Sequence, residues 1–98
     1  MAGEGNLQNK IQQFLKPHKD VWVMNKWGNA IEHGGIPDLL LCINGRFVAM
    51  ELKNPNKSGK VSSRQRIELR KIRNSGGLSY QIDSFKEFQA VFDQLYET

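Results

Sequence analysis

Ninety-eight residues, 39% of them hydrophobic and 24% charged, suit one small globular domain: too short for a second core and too apolar for disorder. The single Cys42 excludes an internal disulfide, no apolar run approaches the roughly 18–20 residues of a membrane span, and the polar N-terminus lacks a signal-peptide core, so the expected location is a reducing cytoplasm with no membrane partner. The net charge is +4, but eight of the fourteen bases and only one of the ten acids, Glu68, fall between Lys53 and Arg73. A basic segment on a mildly acidic body suits a polyanion such as nucleic acid, although a solvated helix face would look the same.

In chain order, Leu7, Ile11, Phe14 and Leu15 recur at helical spacing and predict a helix over Gly5–Leu15, closed by Pro17. Glu4 extends that stripe on its core-facing side. Val21–Lys26 reads as a strand, and Gly28–Gly35 as a polar loop. Leu39–Ile43 and Phe47–Leu52 flank Asn44-Gly45, the pair that best tolerates a two-residue turn, and so predict a hairpin. A helix begins near Ser62 and closes at Gly76-Gly77. Ser79–Ile82 is a fourth strand, and Ser84, with Glu87 completing a capping box, opens a last helix that buries Phe85, Phe88, Phe92 and Leu95. The strand–helix–strand passage predicts a right-handed crossover between parallel strands. The expected fold is α/β, in the order α-β-β-β-α-β-α, with a mixed central sheet flanked by helices and one domain over residues 1–98.

A two-residue turn at Asn44-Gly45 sets Asp38 opposite Glu51, and directly opposed like charges destabilise a sheet unless a cation compensates. Mg²⁺ accepts such oxygens and keeps positions for water and phosphate. Lys53, two residues beyond Glu51, falls on the same face of the pleat. A solvated surface pair is the competing reading of Glu51 and Lys53, but Glu51 continues an apolar run, Phe47–Met50, that suggests a strand buried on both faces. Arg66, Arg70 and Arg73 share one helical face, and with Arg64 and the loop bases Lys57 and Lys60 they are candidate DNA phosphate contacts. His18 and His33 are too far apart to form a zinc set, and Cys42 reads as a buried strand residue. Trp22 and Trp27 read as packing residues, while Asn25 and Lys26 close the first strand.

Gly35-Ile36-Pro37-Asp38, followed after twelve residues by Glu51-Leu52-Lys53, resembles the PD-(D/E)XK nuclease signature. Glu4-x-x-Leu7-Gln8-x-x-Ile11, Ser62-x-x-Gln65 and Gly76-Gly77 narrow the resemblance to the VRR-NUC (virus-type replication–repair nuclease) branch, single-domain phage and bacterial type, over essentially the whole chain. The resemblance implies a restriction-endonuclease-like core and a Mg²⁺- or Mn²⁺-dependent endonuclease, with no small-molecule cofactor, that hydrolyses DNA phosphodiester bonds. Its expected substrates are branched DNA such as four-way (Holliday) junctions in replication, recombination or repair, and its expected form is a homodimer in a bacterial or phage-infected cytoplasm. Asp38, Glu51 and the backbone carbonyl of Leu52 would hold the metal, with Glu4 reaching the same site. Lys53 would orient water or stabilise phosphate charge, and Gln65 would stand on the helix behind the site. Gln65 equally completes a capping box with Ser62, and Glu4 is equally a first-turn acid favoured by the helix dipole. The competing function is a nucleic-acid-binding module without catalysis; a structural interaction domain is a third.

Overall fold

The computed structural model describes residues 4–25, 35–53 and 62–98, with side chains from Leu7 onward. The elements are α1 (Glu4–Leu15), β1 (Trp22–Asn25), β2 (Leu39–Ile43), β3 (Arg46–Leu52), α2 (Ser63–Asn74), β4 (Leu78–Ile82) and α3 (Phe85–Tyr96). This is the expected α-β-β-β-α-β-α order. The four strands form one sheet ordered β1-β2-β3-β4, antiparallel except for the parallel β3–β4 pair that α2 connects.

The hairpin closes as a two-residue turn because Asn44 and Gly45 both adopt positive φ, 51° and 78°. Its register runs from Ile43↔Arg46 to Leu39↔Met50, as expected. One face of the sheet presents Leu39, Leu41, Ile43, Val48, Met50, Leu52 and Ile82 to Leu7, Ile11 and Leu15 of α1 and to Phe88, Phe92 and Leu95 of α3, forming the core. The opposite face receives α2 over β3 and β4, where Leu69 is buried. The β3 strand is buried on both faces from Val48 to Leu52.

Three local expectations differ from the structure. Glu87 accepts the N–H of Asp83, not of Ser84, at 2.8 Å, so only the Glu87 N–H to Ser84 half of the second capping box forms, at 3.1 Å. The Ser84 backbone is too extended (φ −155°) to turn its own N–H toward the helix. Cys42 is partly exposed, because its side lies on the β1–β2 part of the face that α2 does not reach. Trp22 is 50% exposed on the same face and so is not a core packing residue. Lys26, Trp27, His33 and most of the Gly28–Gly35 loop lie outside the described residues.

Candidate metal and nucleic-acid site

Asp38 stands one residue before β2, and the hairpin register carried one step past Leu39↔Met50 sets it across from Glu51. A two-residue turn makes 43/46, 41/48 and 39/50 the hydrogen-bonded pairs, so 38/51 is a non-bonded position, the kind that brings side chains closest. The next bonded pair would join Leu52 to Pro37. Instead, Asp38 Oδ2 accepts the Leu52 N–H at 2.9 Å. The carboxylate thus ends the ladder and is pinned beside the Glu51 backbone. Because N–H and C=O of one strand residue point the same way, the Leu52 carbonyl also faces the Asp38 side.

Glu51 is the most buried carboxylate among the described residues, 4% exposed at the α2 face of β3. An ionised carboxylate there loses its hydration and needs donors in return. Gln65 supplies one: its Nε2 donates to Glu51 Oε2. The same amide holds the start of α2, where Gln65 Oε1 accepts the Ser62 N–H at 2.9 Å and the Gln65 N–H donates to Ser62 Oγ at 3.2 Å. One side chain therefore both caps α2 and touches Glu51. With Oε1 occupied by a backbone N–H, the amide has its NH₂ end toward the carboxylate.

Lys53 follows β3, and its N–H donates to Ile82 O at 2.8 Å, so the strand course persists and the pleat leaves Lys53 on the Glu51 side. Helix α1 begins at Glu4, as the predicted stripe requires, but it packs on the core face of the sheet, opposite α2; the Glu4 side chain is outside the described ones. Arg66, Arg70 and Arg73 line one cleft between α2 and β4, whereas Arg64 is exposed in the first turn of α2. Lys57 and Lys60 lie outside the described residues. Arg73 has a structural duty as well, donating from Nη2 to the Ser79 carbonyl of β4.

Gly35 was legible in the sequence only as part of a motif, and the structure gives it a reason. Its φ is +89°, and a Cβ placed there would stand 3.0 Å from both the Arg64 carbonyl and Glu68 Cγ. The backbone entering Asp38 therefore lies directly on the first turns of α2. His18, which the sequence left without a role, bonds through Nδ1 to the Phe14 carbonyl at 2.9 Å, and its ring lies against Phe14, Phe92 and Tyr96.

Among the described residues no three of His, Cys, Asp and Glu gather as a metal cluster. Asp38, Glu51 and the Leu52 carbonyl are nonetheless hard oxygen donors brought together across the end of the hairpin. Mg²⁺ is commonly held by one or two carboxylates, completing its shell with water and phosphate. The donor set fits such an ion and offers no soft ligand for zinc.

No family model matches this sequence, and no curated protein matches it. A solved structure of a VRR_NUC domain is similar in fold, with a TM-score of 0.68 and 23% sequence identity, over 95% of this chain and 97% of that one. The fold is that of a VRR_NUC domain throughout, helices and mixed sheet alike.

Proposed function

We propose that this protein is a divalent-metal-dependent deoxyribonuclease of the PD-(D/E)XK class, an endonuclease acting on branched DNA such as four-way junctions. The observation that carries the reading is the Asp38–Glu51 arrangement: two carboxylates set across one hairpin end, one of them buried and held by a helix amide. Among small divalent ions Mg²⁺ and Mn²⁺ suit those oxygens, and Asp38, Glu51 and the Leu52 carbonyl would hold the ion, with Glu4 as a further donor. When bound, the ion polarises the scissile phosphate and acidifies a coordinated water. Lys53 orients the attacking water and offsets charge growing on the phosphate. Gln65 keeps Glu51 in its ligating orientation, and Arg64, Arg66, Arg70, Arg73, Lys57 and Lys60 hold the DNA backbone.

A 98-residue domain has little surface for gripping two DNA arms, which favours a homodimer. Trp22, Met24 and Phe47, exposed together on the sheet face beside α2, offer apolar area for one. The alternative is a nucleic-acid-binding module without catalysis, for which a buried carboxylate beside a second one is a cost with no return.

Incubating linear, flap and four-way DNA with Mg²⁺, Mn²⁺ or chelator, with the oligomer sized by sedimentation, tests the reading. Metal-dependent cleavage that disappears in Asp38→Asn, Glu51→Gln and Lys53→Ala is expected. Undiminished cleavage by any of these variants in folded form refutes the assignment.

A further inference from the structure

The two edges of the sheet are guarded unequally. At β4, Arg73 of α2 donates to the Ser79 carbonyl. At β1 the hairpin ladder decides what is left open. The bonded pairs 39/50 and 41/48 turn the Leu39 and Leu41 backbone toward β3, so Leu40 and Cys42 turn theirs toward β1, where they meet Met24 and Trp22. Val23 stands between those two and directs both its N–H and its carbonyl away from the sheet. No hydrogen bond among the described residues takes either group. Two residues earlier the edge is closed, because the Val21 N–H donates to the His18 carbonyl at 3.2 Å. The strand, Trp22-Val23-Met24-Asn25, carries no lysine, acid or proline, the residues that ordinarily keep an edge from pairing.

Beside this open edge runs a groove of about 560 Å³ between β1 and α1. Buried Ile11, Leu15, Val21 and Leu39 stand behind it, and half-buried Val23 faces it. Its two ends differ. Lys16 and Lys19, in the turn that joins α1 to β1, line the end where β1 begins, and Asn25 lines the end where it stops. No carboxylate lines the groove among the described residues, and Asp20, next to Lys19, is engaged by the Tyr96 hydroxyl. An open backbone pair, an apolar floor and one cationic end suit an extended chain that adds to the sheet.

We infer that the β1 edge takes an extended peptide segment of another protein as a fifth strand, antiparallel to β1, with apolar side chains in the groove and acidic residues at its C-terminal end. A residue bonded opposite Val23 shares its face, the α1 side, and that is where the apolar floor lies. In an antiparallel pair the added strand ends where β1 begins, beside Lys16 and Lys19. A sugar–phosphate chain fits less well, since it has no N–H for the Val23 carbonyl. A second β1 also fits less well: it brings another Lys16 and Lys19 to the same side of the joined sheet, with no lining carboxylate to meet them. The groove lies on the α1 side of the sheet, opposite α2, so the peptide stays clear of the α2 cations.

The test is fluorescence anisotropy with a labelled octapeptide, Thr-Val-Thr-Ile-Thr-Val-Asp-Asp, in chelator. Binding is expected, and replacing Asp-Asp by Lys-Lys should abolish it. Lys16→Ala/Lys19→Ala should weaken binding about five- to tenfold at low salt, the worth of two exposed ion pairs. Lys10→Ala/Lys86→Ala, the same change in net charge outside the groove, should leave it unaltered. Methylating the amide nitrogens of the peptide's valines and isoleucine, which face β1, should remove binding. Methylating those of its threonines, which face away from β1, should spare it.

All four lysines are exposed, and thermal melts confirm folding of each variant. A wild-type chain that does not bind the peptide, equal affinity in the two lysine double variants, or equal loss from the two methylation patterns overturns the inference. Loss of binding in Arg66→Ala/Arg70→Ala would put the peptide on the α2 face and overturn it as well. A free chain that sediments as a dimer, and as a folded monomer after Val23→Pro removes the open N–H, would give the edge to a second copy and overturn the assignment of another protein.

Discussion

The Gln65 side chain serves two elements with one amide, and its two halves are separable by mutation. Ser62→Ala removes the hydroxyl that accepts the Gln65 N–H, an N-cap loss worth about 1 kcal/mol. Gln65→Ala removes the bond to the Ser62 N–H and also strips a donor from a buried carboxylate, which costs a further 1–3 kcal/mol or so. Urea denaturation of both should show Gln65→Ala clearly the less stable; equal losses would mean the Glu51 contact contributes nothing. Gly35 makes a second prediction at this scale. Alanine there must adopt a φ of +89° while its Cβ meets the α2 backbone at 3.0 Å, so Gly35→Ala should destabilise by more than about 1 kcal/mol. The same substitution displaces the chain three residues before Asp38, so in the folded fraction it should also weaken any divalent-ion binding followed by calorimetry.

Between elements, the hairpin turn is fastened to the far end of the chain. Asn44 Nδ2 donates to the carbonyls of Leu95 and Tyr96, at 2.8 and 2.9 Å, and so completes the C-terminus of α3. Asn44→Asp keeps a residue tolerant of positive φ but replaces the donor with an acceptor facing two carbonyls. Its stability should fall by at least the net worth of the lost bonds, about 1–2 kcal/mol by thermal denaturation, and Asn44→Gly should fall less. At the same end, the Tyr96 hydroxyl donates to Asp20 Oδ2 at 2.9 Å. That hydrogen bond, then burial and the Asp20 charge, raise the phenol above its ordinary value. Because the folded value lies above the unfolded one, this contribution is whole below about pH 10 and is lost as the pH climbs through the higher folded value. The stability difference between wild type and Tyr96→Phe should shrink on that alkaline limb, and a difference independent of pH from 8 to 11.5 would show the bond to be irrelevant.

These two fastenings mark the limit of what the sequence discloses. Asn44-Gly45 declares its turn because backbone conformation is a local property, and the turn then sets every pair down to Leu39↔Met50. The face of Glu51 and the stripe of α3 follow from periodicity for the same reason. Bonds from Asn44 to α3, from Asp38 to the Leu52 N–H and from Arg73 to Ser79 are choices of side-chain reach across space. Periodicity assigns a residue to a face without saying which carbonyl or amide its tip will meet.

For the whole molecule, the decisive property is the gathering of opposite charges on one side of the sheet. The carboxylates Asp38 and Glu51 stand at one end of the hairpin, while cations line α2 beside them. Two facing carboxylates repel, and one of these is denied water, so the apo fold carries an electrostatic load that a divalent ion would relieve. Binding to the folded chain alone then stabilises it by mass action, about 2.7 kcal/mol at a hundredfold excess over Kd, which for a 98-residue domain is a rise of roughly 10 °C or more in melting temperature. Ca²⁺ serves as the probe beside Mg²⁺, since it takes oxygen ligands as well. Glu51→Gln should melt higher than wild type without metal, because the repulsion is gone and the isosteric amide keeps the packing. It should also show no rise when metal is added. The two shifts have different origins, so a site that is merely a structural pair would give the metal-free rise of Glu51→Gln and never the rise of the wild type with metal. A wild-type melting temperature indifferent to millimolar divalent ion would mean that these carboxylates hold no metal, whatever the chain does to DNA.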